Sequence, residues 1–561
     1  MKLGQQVKPE THKKEGKKMF KRIFICVLVI VMAATAAIPI ALAGEKLAEK
    51  QVLYYASSGR DLRAIDPAFG TSSMELFIIY SMFNALVRYP PGNEGDLEAI
   101  EPDLAKSWDV SKDGKVWTFR LRKGVKFHKG FGELTAEDVK FTFERLKTEG
   151  APWAKDYKNV KDIKVIDDYT VQFTLEKVDP FFLTKLTNYH GGFIVSKKAR
   201  EKLGKAFKAE PVGTGPFQVK EYRPKDRYIL ERHDEYWRGK PILEKVIVPF
   251  MPDIASTSLA LEKGDIHMAR GKTDEMWIKS MKKKTDLIFD TRFQLGTANW
   301  LHINMTRKPF DDLRVRKALA HATNRDEFVQ LFGPSVTEPL YTHVPPFAFG
   351  ALKKDDVPKD LILEYNPEKA KQLLKEAGYP KGFTTKILVS ELSAYMKAMI
   401  LLQEQWRRVG VNIELETVDH TTYHSKIRKN LSPLVLYSAT RTPIAGVYLT
   451  QWYHSASIVG KKTAITNFSH YGEVDVDSDG DLTDNNIDRF IDQAAYEMDP
   501  EKQRRLYAEA QLQLLKDIPA IPIRVYRIIP VRQPYIDLGH KPIQTMSYGY
   551  HLTEKTRILK H

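Results

Sequence analysis

Apolar and polar residues alternate with period two through Trp117, Phe119 and Leu121, which are interleaved with Thr118 and Arg120. That alternation predicts a strand with one buried face. The turn Ser111-Lys112-Asp113-Gly114 precedes it, and Val125 and Phe127 carry the alternation past Gly124. Tyr169, Val171, Phe173 and Leu175 predict a second such strand, entered through a turn at Asp167-Asp168. Between the two, Thr135 and Asp138 form a capping pair, and Val139, Phe143 and Leu146 recur at helical spacing. Asn366 caps a helix with Pro367 in its first turn, Gly378 at its end and Pro380 beyond. Asp311 and Asp312 open another, whose apolar face is Val315, Ala318, Leu319 and Ala322. Leu506, Ala510 and Leu514 mark one more, ahead of the run IPAIPI. The pattern is mixed α/β with short connections, and periodicity alone leaves the strand order open.

The chain has 561 residues, more than one hydrophobic core accommodates, so at least two domains or subdomains are expected. A hydrophobic fraction of 43% excludes a disordered chain. The formal charge is +16, of which +6 falls in residues 1–43. The remaining Lys and Arg are scattered among acids, with no basic tract interleaved with aromatics, so no nucleic-acid partner is expected. Lys21 and Arg22, an apolar run from Ile23, and Ala41-Leu42-Ala43 before Gly44 form a secretory signal with cleavage expected after Ala43. An uncleaved apolar run would instead serve as a membrane anchor, and Met19 is an alternative start. The one cysteine, Cys26, lies inside that run, so the exported chain forms no disulfide and has no thiolate chemistry.

Catalytic motifs are not found. Gly271-Lys272-Thr273 lacks the earlier glycine of a phosphate loop, since Ile266 stands there. Gly213-Thr214-Gly215 runs into Pro216, a turn and not a dinucleotide fingerprint. There is no G-x-S-x-G elbow, no H-E-x-x-H and no clustered pair of histidines; His190, His302 and His424 read as core or surface residues. No nucleophile is set beside a base, and no enzyme is expected.

The segment Leu104–Leu146, LAKSWDVSKDGKVWTFRLRKGVKFHKGFGELTAEDVKFTFERL, resembles the signature region of the family 5 extracellular solute-binding proteins, the peptide receptors of ABC importers. FNALVRY (Phe83–Tyr89), PVGTGPFQVKEY (Pro211–Tyr222) and HDEYWRGKP (His233–Pro241) look like further family blocks. So do PFDDLRVRKALAHATNRDE, NPEKAKQLLKEAGY and DPEKQRRLYAEAQLQLLKDIPAIPI, so the resemblance covers nearly the whole exported chain. It implies a two-lobed periplasmic-binding-protein fold (type II, cluster C-like) with hinge strands and an extra domain on the first lobe. After a signal peptide, 1–43, lobe one comprises 44–88, 206–302 and 529–561, the extra domain 89–205, and lobe two 303–528 with an acidic insertion at 473–486. It also implies capture of a peptide or peptide-sized solute in the interlobe cleft, delivery to inner-membrane permease subunits, a periplasmic location and a monomer. The other reading, a membrane-tethered sensor or peptide-holding chaperone using the same cleft, requires the apolar run to remain uncut.

Peptide receptors of this family carry a W-x-x-D-Y motif whose aspartate pairs with the peptide's α-ammonium. Here the similar stretch is LVLYSATRTPIAG: Tyr437 falls near the tryptophan position, Ser438 follows, and Thr440 stands in place of the aspartate, before Arg441. A threonine cannot neutralise a buried ammonium. Either another acid such as Glu75 substitutes for it, or the ligand is not a free peptide. Arg441 suits a carboxylate or phosphate, or a salt bridge at the cleft rim. Trp300, Tyr341 and Trp452 are further candidates for the cleft, with core packing as the other reading for the tryptophans.

The insertion DVDSDGDLTDNN places Asp475, Asp477 and Asp479 at the first, third and fifth positions of a calcium loop, with Gly480 at the sixth. Asp481 would offer its carbonyl and Thr483 would act through water, but the twelfth position is Asn486 in place of a bidentate glutamate. A weak structural Ca2+ site, or a merely solvated loop, is expected there. No cofactor is required.

Overall fold

The computed structural model describes residues 46–561 except 63, 71, 188–190, 439–441, 462–465, 475–486 and 544–548. The expected signal segment and the acidic loop Asp475–Asn486 therefore lie outside the described residues. Two units are distinguished, Met1–Glu49 with Leu559–His561, and Lys50–Ile558. In the first, Leu47 and Leu559 form an antiparallel bridge. The second holds all the sheets. Among the described residues no helix is long and apolar enough to cross a membrane.

A seven-stranded sheet is built around Val52–Ala56, which pairs in parallel with Lys245–Pro249 on one side and Met268–Arg270 on the other. The crossover between these two neighbours is the helix Ile254–Lys263. The Asp253 side chain accepts from the Ser256 N–H to start it, and Gly264, at φ +77°, ends it. The hairpin Phe217–Arg223 and Arg227–Arg232 extends one edge, while Pro530–Arg532 and Ile288–Phe289 extend the other.

A separate antiparallel sheet contains both strands that the alternation marks out, Val116–Leu121 and Thr170–Leu175, paired to each other and flanked by Ala105–Val110 and Val160–Asp167. Trp117, Phe119, Leu121, Val171, Phe173 and Leu175 are buried on one face. The helix Ala136–Thr148, with its Thr135/Asp138 capping box, lays Val139, Phe143 and Leu146 onto that face. Arg145 on the same helix reaches away from the sheet. Its Nη2 donates to Asp66 Oδ1 at 2.6 Å, with the two side chains 3% and 1% exposed. Asp66 also accepts from the Ala68 N–H, so the pair ties this sheet's helix to the loop that leads into the helix Ser73–Met82.

The third large sheet has the order Thr337–Pro339, Ala520–Ile528, Arg292–Ile303, Leu434–Tyr437. Helices cover it as their caps dictate. Asp312 caps Leu313–Ala322, Asn366 caps Pro367–Glu376, and Pro500–Asp517 buries Tyr507, Ala510 and Leu514, with Leu506 half-buried. The chain passes from the seven-stranded sheet to this one between Phe289 and Arg292, and returns between Ile528 and Pro530. The passages are antiparallel neighbours: Ile288 pairs with Arg532 and Arg292 with Ile528. Asp290, between them, accepts from Arg532 Nε at 2.8 Å and from Tyr550 Oη at 2.7 Å.

Two expectations follow from the buried polar groups. Replacing Arg145 with Met strands the Asp66 carboxylate in the interior. Chemical denaturation is expected to show about 3–5 kcal/mol of lost stability, and an unchanged midpoint would mean that this pair does not hold the loop. His302 and His343 are wholly buried beside Tyr453, and burial pulls each ring down to about 3. Both are neutral in the folded chain and titrate near 6.5 when unfolded. Their contribution is complete above about pH 6.5 and falls toward pH 3 by roughly 1 kcal/mol per pH unit for each ring. A His302→Gln variant should therefore show a shallower loss of stability between pH 7 and pH 5 than the parent; equal slopes would refute this.

Candidate functional site

At its end nearest the two passages, the third sheet turns from apolar to polar on one face. In an antiparallel pair, residues directly opposite share a face. Arg524 lies opposite Asn299, Tyr526 lies opposite Thr337, and Ser438 follows Tyr437 in the neighbouring strand. Farther along, the same face carries Leu301, Ile303, Leu434, Leu436, Ile521 and Ile523 in one core cluster. Counting by twos from Pro522 would put Arg524 on the other face. It does not lie there because the register breaks: Asn299 pairs with Arg524, but Trp300 pairs with Pro522. The extra residue is a bulge, which re-aims the side chain beyond it.

Arg524 is 5% exposed and has no hydrogen bond or ion pair among the described residues; its Nε is buried without a partner. The guanidinium stacks on the Phe332 ring at 3.5 Å and on Tyr526 at 4.9 Å. Burial pulls it down to about 10, so it remains charged at neutral pH. Beside it, Asn299 Oδ1 and Thr337 Oγ1 are buried acceptors without a partner among the described residues. Tyr526 Oη is 3.4 Å from Ser438 Oγ. The face therefore presents a cation and two acceptors left unmatched among the described residues.

This patch lies where the two large sheets' helices meet. Phe332 ends the helix Arg325–Phe332, and a Cβ on the next residue, Gly333, would lie 2.7 Å from Glu275 Cβ of the helix Glu275–Lys284. The Glu275 carboxylate also accepts from the Ser335 N–H at 3.1 Å. Elsewhere on the same junction Glu98 pairs with Arg504, and the rings of Phe181 and Phe349 stand 5.7 Å apart. A cavity of 460 Å³ opens there, between Leu97 and Glu98 on one side and Phe347, Phe349 and Arg504 on the other. Of its two arginines, Arg504 is already paired with Glu98 and Arg505 Nε donates to Glu501 O, and in this both differ from Arg524.

Of the described residues singled out from the sequence, only Ser438 joins the Arg524 face. Trp300 and Trp452 are fully buried with ring centroids 4.5 Å apart, and the Trp300 Nε1–H donates to Thr342 O. Tyr437 packs on Phe468 and Trp452 in the same cluster, on the sheet face opposite Arg524. These three are core residues as placed. The Glu75 carboxylate is 2% exposed as a residue and accepts from the backbone N–H of Ser72 and of Ala64, so it closes the capping box of its own helix. Tyr341 lies between the cations of Arg325 and Lys354, in a small pocket with Leu361, Leu363 and Leu515. Thr440, Arg441, Asp475, Asp477, Asp479, Asp481 and Thr483 lie outside the described residues. Sequence reading missed Arg524, Asn299 and Thr337. The available signal was an arginine inside the otherwise apolar run IPAIPIRV, since a charge in a buried strand is uncommon without a partner. It also missed that His420 and His424 stand one turn apart on the helix His420–Arg428, contrary to the expectation of no paired histidines.

Comparison with known proteins identifies the family and the fold. The family model "Bacterial extracellular solute-binding proteins, family 5 Middle" matches residues 99–459. The dipeptide-binding protein of Escherichia coli (strain K12) is 31% identical over 371 residues, 61% of this chain and 67% of its own. The structure of MoaA from A. tumefaciens R10 in complex with mannopinic acid is 35% identical and covers 91% of this chain and 100% of its own, with a TM-score of 0.72. DppA of Helicobacter pylori, an ABC transporter-associated periplasmic binding protein solved with the peptide STSA, is 27% identical and covers 91% of this chain and 98% of its own, with a TM-score of 0.68. These relatives are binding proteins, and the mixed α/β fold is the periplasmic-binding-protein fold that the resemblance implies. The chain belongs to the family 5 bacterial extracellular solute-binding proteins.

Proposed function

We propose that this protein is the periplasmic solute-capturing component of an ABC importer, and that its solute is peptide-sized and carries a carboxylate held by Arg524. The observation that carries the reading is the unmatched guanidinium. An ion held out of water is costly unless an opposite charge meets it, and the protein supplies none among its described residues. A guanidinium fork suits two-point pairing with a carboxylate. The adjacent Asn299 and Thr337 oxygens suit N–H or O–H donors on the same solute. A peptide and an acid such as those bound by the relatives both offer that combination.

Lobe one is then 44–88, 206–302 and 529–561, the extra domain 89–205, and lobe two 303–528, with the antiparallel passages, Ile288 opposite Arg532 and Arg292 opposite Ile528, supporting a hinge between the lobes. A solute that touches both sides of the junction favours the closed arrangement, which gives permease subunits a loaded surface to recognise. Capture and release need no bond to be broken, so the protein acts as a monomeric receptor and not as an enzyme. Export by a signal cleaved after Ala43 fits this role. The acidic loop Asp475–Asn486 enters as a calcium-held clip on the insertion, with no part in holding the solute.

Isothermal titration with short peptides, free and C-terminally amidated, tests the reading on the parent and on Arg524→Met. Removing one partner of a buried charge pair costs about 2–5 kcal/mol, so amidation or the substitution should each weaken binding by about 30-fold or more. The solute-free variant should also melt at or above the parent temperature, since an uncompensated buried charge has been removed. Unchanged affinity in Arg524→Met would overturn the assignment.

A further inference from the structure

His420 and His424 face each other across one helical turn, with their Nε2 atoms 3.1 Å apart and their rings at 83°. Residues four apart on a helix share a face, and here the neighbours fix how the rings stand. Ser390 Oγ, at the end of the strand Phe383–Ser390, is 2.9 Å from His420 Nδ1. The Tyr395 ring packs on His420, while those of Tyr423 and Tyr437 pack on His424. The helix is held in place by its Asp419 cap and by Tyr423 Oη, which donates to Leu436 O at 2.8 Å. A shared proton between two neutral rings accounts for the 3.1 Å spacing in the absence of an ion. The same geometry suits coordination: an ion about 2.05 Å from both nitrogens would see them at an angle of about 100°, between octahedral and tetrahedral values.

We propose that His420 and His424 form a two-histidine chelate for a late first-row divalent ion, Ni2+, Cu2+ or Zn2+, with its other coordination positions open. Imidazole nitrogen is the donor these ions favour. Ligation through Nε2 leaves each ring's proton on Nδ1, and on His420 that proton donates to Ser390 Oγ, the kind of outer partner that orients a ligating histidine. Among the described residues no third His, Cys, Asp or Glu completes the set. Structural sites close four positions with protein ligands, and a site with fewer leaves room for water or a second ligand. Here that second ligand has a nearby source. Tyr437, which packs on His424, lies on the face opposite Arg524, and the chain turns to the other face at the next residue, Ser438, so a solute reaching around this strand end would supply the open positions.

The test uses the chelator-treated full chain without an affinity tag. Titration with Ni2+ is expected to show one saturable equivalent, and the electron paramagnetic resonance spectrum of the Cu2+ form to show coupling to two imidazole nitrogens. His420→Gln and His424→Gln should each abolish the saturable equivalent, and Ser390→Ala should weaken it by about tenfold. Arg524→Met should leave ion binding intact, which separates this site from the solute-anchoring role of that arginine. His454→Gln serves as a control for the remaining histidines of the chain's fifteen. A Cu2+ spectrum without two imidazole nitrogens, or an equivalent retained in the His420→Gln/His424→Gln double variant, would overturn the proposal.

Discussion

The chain passes between its two large sheets twice, at Asp290 and at Ile529, and the passages are hydrogen-bonded neighbours. Ile288 opposite Arg532 and Arg292 opposite Ile528 continue one antiparallel pairing from the first sheet into the second. A pair of strands resists sliding but bends about its length more readily than a packed helical interface. Asp290, which accepts from Arg532 and Tyr550, ties the outgoing passage to the returning strand. Away from the passages, the Glu275 carboxylate meets the Ser335 N–H and Glu98 pairs with Arg504. A receptor that opens and closes needs such a join: continuous enough to keep the two sides in register, and narrow enough to leave the cleft contacts weak.

The polar end of the third sheet is intelligible against that join. Most of the sheet is committed to two dry cores, one on each face. The aromatic core around Trp300, Trp452, Tyr437 and His302 seals one face completely. The other face is apolar until it reaches Asn299, Ser438 and Arg524, where the strands approach the passages. There the interior holds a charge that no described residue of the chain matches. Stacking on Phe332 and Tyr526 offsets part of the cost of burying it. In the proposed reading an arriving anion would recover the remainder, so that free energy left unspent in folding would be available for binding. This is preorganisation in electrostatic form: the cation is already dehydrated and already oriented.

Much of the local structure was legible because its causes are local. The alternation through Trp117 and Phe173 gave two strands that pair with each other, and the caps at Thr135, Asp312 and Asn366 gave three helix starts. Period two and side-chain capping depend on residues within a few positions, so the sequence by itself determined them, and the family blocks determined the fold class. What the sequence could not determine was the face a residue occupies after a register break, or which distant loop meets it. Trp300 and Trp452 were readable as cleft aromatics or as core, and packing on the far face decided for core. Glu75 was an acid without an assigned partner until its own helix terminus and the Ala64 N–H took both its oxygens. Arg524 was visible as a charge in an apolar run, but a one-residue bulge chose its face. The spacing of His420 and His424 was there to be read, whereas the convergence of their nitrogens depends on a serine thirty residues earlier in the chain. Periodicity and capping are set by neighbours in sequence; facing, burial and charge matching are set by neighbours in space, and only the tertiary structure brings those together.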